Sequence, residues 1–180
     1  MTSRPIGRVV WITGLAGAGK TTIAKAAHGM LLSGPSPDPW VRLDGDDIRE
    51  IMGSDLGHDP EGRIANAWRI CRLCRYLSEQ GISVIVATIS LFKQCQEWNR
   101  ETMPRYFEVL VEVEHTTLLA RDHKGLYSGS LANTTSNVAG MDQSVHFPEK
   151  PDLVVNNDDE GAGPEVAALR IVAELAGASS

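Results

Sequence analysis

The stretch Val9-Val10-Trp11-Ile12-Thr13-Gly14-Leu15-Ala16-Gly17-Ala18-Gly19-Lys20-Thr21-Thr22 constrains this chain more than any other. A β-branched apolar run leads into G-x-x-x-x-G-K-T, and a helix-forming run follows. That is the strand, loop and helix setting in which a phosphate-binding loop works. Gly14 and Gly19 let the loop curl, so that the N–H groups of Ala16, Gly17, Ala18 and Gly19 can converge on phosphate oxygens. Lys20 adds a mobile positive charge for the terminal phosphates. The Thr21 hydroxyl suits a Mg²⁺ position, and Thr22 continues into the helix whose positive dipole end faces the anion. The expected ligand is a nucleoside triphosphate.

The remaining chain alternates strands and helices. Strands are expected at Val9–Thr13, Trp40–Leu43, Ser83–Thr88, Tyr106–Val113 and Asp152–Asn156. Helices are expected at Thr22–Leu32, Ile48–Met52, Arg63–Gln80, Gln94–Met103, Thr116–Arg121 and Pro164–Leu175. The pattern predicts an α/β fold, a parallel sheet of the P-loop NTPase type with helices on both faces. Asp122 to Phe147 is rich in Ser, Asn, Gly and Thr and carries no strand signal, which predicts a lid over about 122–147. With 180 residues and no internal repeat, a single kinase-sized domain over 1–180 is expected.

Ligands of such sheets sit at the carboxyl ends of the strands. The phosphate loop, Asp44–Arg49 and Ile89-Ser90 all follow strands, so they should meet there. Phosphoryl transfer needs a group that orients or deprotonates the acceptor. Asp46 is the expected catalytic carboxylate and, with Thr21, the expected metal ligand. Asp44 is expected to hold the loop and the water around the metal, and Asp47 to cap the next helix. Arg49, Arg63, Lys93, Arg100, Arg121 and Lys124 are candidate anion clamps, Arg49 and Arg63 foremost because they follow the acidic loop closely.

The net charge of −6 argues against a polynucleotide partner. No stretch is long and apolar enough for a membrane span or a secretory leader. Cys71 and Cys74 form a C-x-x-C inside a helical pattern without a second pair; with Cys95 they read as small apolar core residues. A reducing, cytoplasmic setting is expected.

Taken together, the segments resemble the adenylylsulfate kinase family. The matching pieces are Gly14–Thr22, Leu43-Asp44-Gly45-Asp46-Asp47-Ile48-Arg49, Asp55-Leu56-Gly57, Arg63 with Asn66, and Ile89-Ser90. Arg121-Asp122-His123-Lys124-Gly125-Leu126-Tyr127 and Gly140-Met141-Asp142 with Pro148 complete them, in the family's order. The resemblance implies a P-loop kinase that uses MgATP to phosphorylate the ribose 3′-hydroxyl of adenylyl sulfate. It implies Asp46 as the catalytic acidic residue, with Arg49, Arg63, Asn66, Ile89, Ser90 and Lys124 lining the acceptor. Asp44, Gly125 and Leu126 join that set, and the lid starts at Lys124. It also allows a homodimer.

The departures fall at the base-holding end. The family stacks adenine between two phenylalanines; this chain has His58 at one of those positions and Val138 at the other. The proline and arginine that follow Ile-Ser in the family are Leu91 and Lys93 here, and the P-Y-E piece is Ser144-Val145-His146. Ala87–Phe92 with Trp98-Asn99-Arg100 resembles a subgroup associated with surface-polysaccharide gene sets, one member of which phosphorylates cytidine diphosphoramidate. The acceptor is therefore expected to be a 5′-modified nucleotide whose base need not be adenine. Two other readings stay open at this stage: a kinase for another small molecule, and a nucleotide-binding regulatory module without turnover. The presence of Lys20, Thr21 and Asp46 together favours catalysis.

Overall fold

In a computed structural model, the residues described are 5–34, 38–53, 55–122, 125–131, 139–140, 143–158 and 163–177. Lys124 and Val138 lie outside them, as does the side chain of Leu126.

Five strands form one parallel sheet: β1 (Val9–Thr13), β2 (Trp40–Asp44), β3 (Ser83–Ala87), β4 (Tyr106–Glu112) and β5 (Leu153–Asn156). Their order is β2-β3-β1-β4-β5. β1 is therefore central, with Trp11 in register with Val86 on one side and with Glu108 on the other. The period-2 pattern of β1 builds two cores. Val10 and Ile12 pack with Ile85, Val109 and Val111 on one face; Val9 and Trp11 pack with Val84 and Val86 on the other.

The first face is covered by α1 (Lys20–Ser33) and α7 (Gly163–Gly177), which bury Ile23, Ala27 and Leu31 against Ala168 and Ile171 at helical spacing. The second face is covered by α3 (Pro60–Glu79) and α4 (Lys93–Thr102), through Ile70, Cys71, Cys74 and Cys95. The three thiols are unbridged and buried, as small core residues; burial pushes the Cys74 thiol up. Asp59 starts α3, its carboxylate accepting from the Gly62 N–H at 2.8 Å with Pro60 at the first turn.

The connections carry α2 (Gly45–Ile51), α5 (His115–Ala120) and α6 (Leu126–Leu131). Two sequence expectations are corrected here. α2 begins three residues earlier than Ile48, because Asp44, not Asp47, caps it: Asp44 Oδ1 accepts from the Asp46 N–H at 3.0 Å. Asp47 instead lies 3.9 Å from Arg42. The segment read as a lid contains α6, whose start is fixed by Asp122 accepting from both the N–H and the hydroxyl of Ser128 at 2.8 Å. No described helix is long and apolar enough to cross a membrane.

Candidate active site

Order 2-3-1-4-5 places β1 at the switch point, where connections leave in opposite directions and open a crevice at the carboxyl edge. A cavity of 680 Å³ opens there. The phosphate loop forms one wall: Ala16, Gly17, Gly19, Lys20, Thr21 and Thr22 line it, while Gly14 and the buried Ala18 lie behind. Lys20 is mostly buried and its ammonium donates to the Leu15 carbonyl at 2.6 Å. Two further loop carbonyls are held from a distance in sequence, Ala16 by the Tyr127 hydroxyl (2.8 Å) and Ala18 by Asn157 Nδ2 (2.9 Å). Sequence reading assigned neither residue a role.

The acidic loop faces this wall. Asp44 ends β2 and is nearly buried; its Oδ2 accepts from the Thr21 hydroxyl at 2.7 Å while Oδ1 caps α2. That cap sets the first turn of α2, which carries Asp46 and Arg49 into the same cavity as Lys20. Asn66 on α3 donates to the Gly45 carbonyl at 3.2 Å, and its Oδ1 is buried without a hydrogen-bond partner among the described residues. Asn66 also lines the cavity.

The far wall is built from the α2–α3 loop and the loop after β3. Arg49 and Arg63 line the cavity, but their guanidinium groups also brace the loop: Arg49 donates to the Leu56 and Gly57 carbonyls (2.8 and 2.7 Å) and Arg63 to the His58 carbonyl (2.8 Å). They thereby fix His58, which lines the cavity. Ile89 and Ser90 line it too. Ser90 adopts φ 25°, a left-handed turn that a non-glycine residue rarely takes, and its hydroxyl pairs with Thr88 Oγ1 at 2.7 Å. Thr13 donates to the Ile89 carbonyl. Leu91, Phe92 and Val145 complete this end. The Val145 strip is stitched down on its carboxyl side: His146 N–H donates to the Leu91 carbonyl (2.9 Å) and Gln96 to the His146 carbonyl (2.7 Å).

Arg121 lines the cavity as expected. Gly125 opens α6 instead of lining the cavity, its N–H donating to the Asp122 carbonyl at 3.1 Å. Arg100 is no anion clamp. It donates to Glu108 at 3.0 Å, to Asp152 at 3.1 Å and to the Lys150 carbonyl at 2.7 Å, and it stacks over Tyr106. Lys93 lies on the surface between Glu97 and Glu149.

Residues 6–156 match the sequence profile of the adenylylsulphate kinase family. The chain belongs to that family. Among curated relatives, the cytidine diphosphoramidate kinase of Campylobacter jejuni is 40% identical over 149 residues, 83% of this chain and 85% of its own. The adenylyl-sulfate kinase of Pseudomonas aeruginosa is 36% identical over 169 residues, 93% of this chain and 84% of its own. Among solved structures, the Mycobacterium tuberculosis APS kinase in complex with AMPPNP and APS superposes with a TM-score of 0.84 at 28% identity, covering 95% of this chain and 98% of its own. The protein is thus a phosphotransferase of the adenylylsulfate kinase type with the P-loop fold. A kinase reaction brings together two ligands, a phosphate donor and a hydroxyl acceptor.

Proposed function

We propose that this kinase transfers the γ-phosphate of ATP to the ribose 3′-hydroxyl of a 5′-modified nucleotide whose base is not adenine, a conjugate of the cytidine diphosphoramidate kind. The observation that carries the choice of base is His58 in the cavity wall, braced by Arg63, at the position where the family resemblance calls for a stacking phenylalanine. Base stacking on an aromatic ring is worth about 1–3 kcal/mol, and the smaller, more polar imidazole of His58 keeps only part of that, so an adenine site there is weakened by up to roughly tenfold. The 40% identity to the Campylobacter cytidine diphosphoramidate kinase supports the same reading. Adenylyl sulfate is the second reading, supported by the likeness to the Pseudomonas enzyme.

The roles follow from the geometry. Lys20, whose ammonium donates to the Leu15 carbonyl beside the cavity, brings its charge onto the transferring phosphoryl group. Asp46 orients the acceptor hydroxyl and takes its proton as the new O–P bond forms and the bond to the departing ADP oxygen breaks. Arg49, Arg63, Asn66, Ile89 and Ser90 position the acceptor; Lys124, expected to join them, lies outside the described residues. The Thr21 hydroxyl and the Asp44 carboxylate, 2.7 Å apart beside the phosphate loop, are a hard-oxygen pair that fits Mg²⁺, with Asp46 near them in the same cavity. When bound, the ion neutralises charge on the phosphate oxygens. The buried unbridged thiols support a cytoplasmic setting.

A substrate panel with MgATP tests the reading, by mass gain of one phosphoryl group on adenylyl sulfate, cytidine diphosphoramidate and cytidine 5′-diphosphate. Preferred phosphorylation of a cytidine conjugate is expected. A large preference for adenylyl sulfate would overturn the choice of base.

A further inference from the structure

A trans peptide is planar, and its C=O points opposite to the N–H of the next residue. Anchoring a carbonyl of the phosphate loop therefore fixes the direction of the following N–H, opposite to the anchor. The Ala16 and Ala18 carbonyls are anchored in this way, and the N–H groups that follow them belong to Gly17 and Gly19. Both glycines line the cavity, and both have left-handed φ, 74° and 90°. With no Cβ, these two positions are the ones least able to hold their own orientation.

The anchors come from elements outside the motif. Tyr127 is on α6, 2% exposed and part of the cavity wall, with its ring edge-on to His115 on α5. Burial and the Asp122 carboxylate push its phenol up to about 12, so it remains a donor across neutral pH. Asn157 follows β5, and its own N–H donates to the Glu112 carbonyl at 2.9 Å, which ties it to the end of β4. Its amide group fits so tightly that a Cβ on Gly19 would stand 2.5 Å from Nδ2.

We propose that Tyr127 and Asn157 are positioning residues of the phosphate cradle, the first aiming the Gly17 N–H and the second the Gly19 N–H at the phosphates of the bound nucleotide. The assignment rests on the nucleotide-site reading of the cavity and makes no use of the acceptor's identity. Neither side chain touches the reacting atoms. Each raises the fraction of loop conformations that are ready to bind, and the apparent dissociation constant scales inversely with that fraction.

The test uses the full chain and two probes, MgADP and inorganic tripolyphosphate, by titration calorimetry. Thermal melting without ligand is followed in parallel. In Tyr127→Phe and in Asn157→Ala, the Kd for both probes should rise about three- to tenfold, the scale of one lost hydrogen bond. Asn156→Ala removes a neighbouring side chain that accepts from the Asp158 N–H and not from the phosphate loop, and should bind as the unaltered chain does. The loss should be equal for the two probes, because tripolyphosphate has phosphates and no base. Variants that melt normally and bind both probes at full strength would overturn the proposal while leaving the nucleotide site intact. Failure of the unaltered chain to bind either probe would overturn both. Should Asn157→Ala not fold, Tyr127→Phe, which keeps the buried ring, decides alone.

Discussion

Arg100 offers the sharpest separation between a ligand-binding and a structural role, and Arg100→Met is the perturbation. Its guanidinium lies 3.0 Å from the Glu108 carboxylate, which is 2% exposed, and 3.1 Å from Asp152. Burial alone would lower the Arg100 pKa, but Asp152 and Glu108 hold it raised overall. Removing the cation leaves two carboxylates side by side, one of them inside the sheet. Breaking a fully buried pair costs about 3–5 kcal/mol. Because the Arg100 side chain is 38% exposed, water recovers part of that, and about 2–4 kcal/mol is the working figure. For a domain of this size the melting temperature should fall by about 5–15 °C. The loss should depend on pH. Burial already raises the Glu108 carboxyl, against the opposing pull of Tyr106 and Arg100. A carboxyl that binds its proton more tightly folded than unfolded stabilises the fold at low pH and loses that contribution as pH rises through the folded value. The variant should therefore approach the unaltered protein as the pH is lowered from about 8 to about 5, and Glu108→Gln in the same background should restore much of the loss at neutral pH. Melting curves across that range, with KM for the acceptor, are the assay. A melting temperature that barely moves, together with a large rise in acceptor KM, would refute the structural role and restore Arg100 as a clamp.

Lys20→Ala should slow turnover by orders of magnitude, and Asp46→Ala should abolish it while nucleotide still binds, both read by coupled ADP release and calorimetry. An Asp46→Ala enzyme with near-normal turnover would remove the assignment of the base. His58→Phe combined with Val138→Phe should raise the ratio of kcat/KM for adenylyl sulfate over the cytidine conjugate by about tenfold or more, if both faces of the base are rebuilt; an unchanged ratio would mean that these positions do not flank the base. The Gly62 N–H holds the Asp59 carboxyl below the usual range, and the Arg69 guanidinium does the same for Asp55. Depressed carboxyls stabilise above the unfolded pKa and lose that contribution as pH falls through the folded one. The melting difference between the unaltered chain and Asp59→Ala should thus be full at neutral pH and shrink below about pH 4.

The sequence was most legible where one stretch dictates its own conformation. The β-branched runs of β1 and β3 could only be buried strands, and the spacing of glycines, Lys20 and Thr21 defined the cradle before any coordinates. It was least legible where a residue's role is set by a distant partner. Asp44, Asp46 and Asp47 all suit a helix start; only the end of β2 beside Thr21 decides that Asp44 does it. Arg100 looks like any exposed cation until Glu108 from β4 and Asp152 before β5 close around it. Tyr127 reaches back 111 residues and Asn157 reaches back 139, distances over which no local pattern speaks. The helix α6, Leu-Tyr-Ser-Gly-Ser-Leu, has four poor helix formers between its leucines and stands on a cap and on the burial of Tyr127.

The double engagement of Asp44 also limits how this enzyme can be changed. One carboxylate clasps the Thr21 hydroxyl beside the phosphate loop and the Asp46 amide in the first turn of α2. Any replacement at that position loosens both halves at once, so no mutation there can trade catalytic alignment for robustness one at a time. Directed evolution toward a new acceptor will find its freedom around His58 and Val145 and should leave this residue untouched.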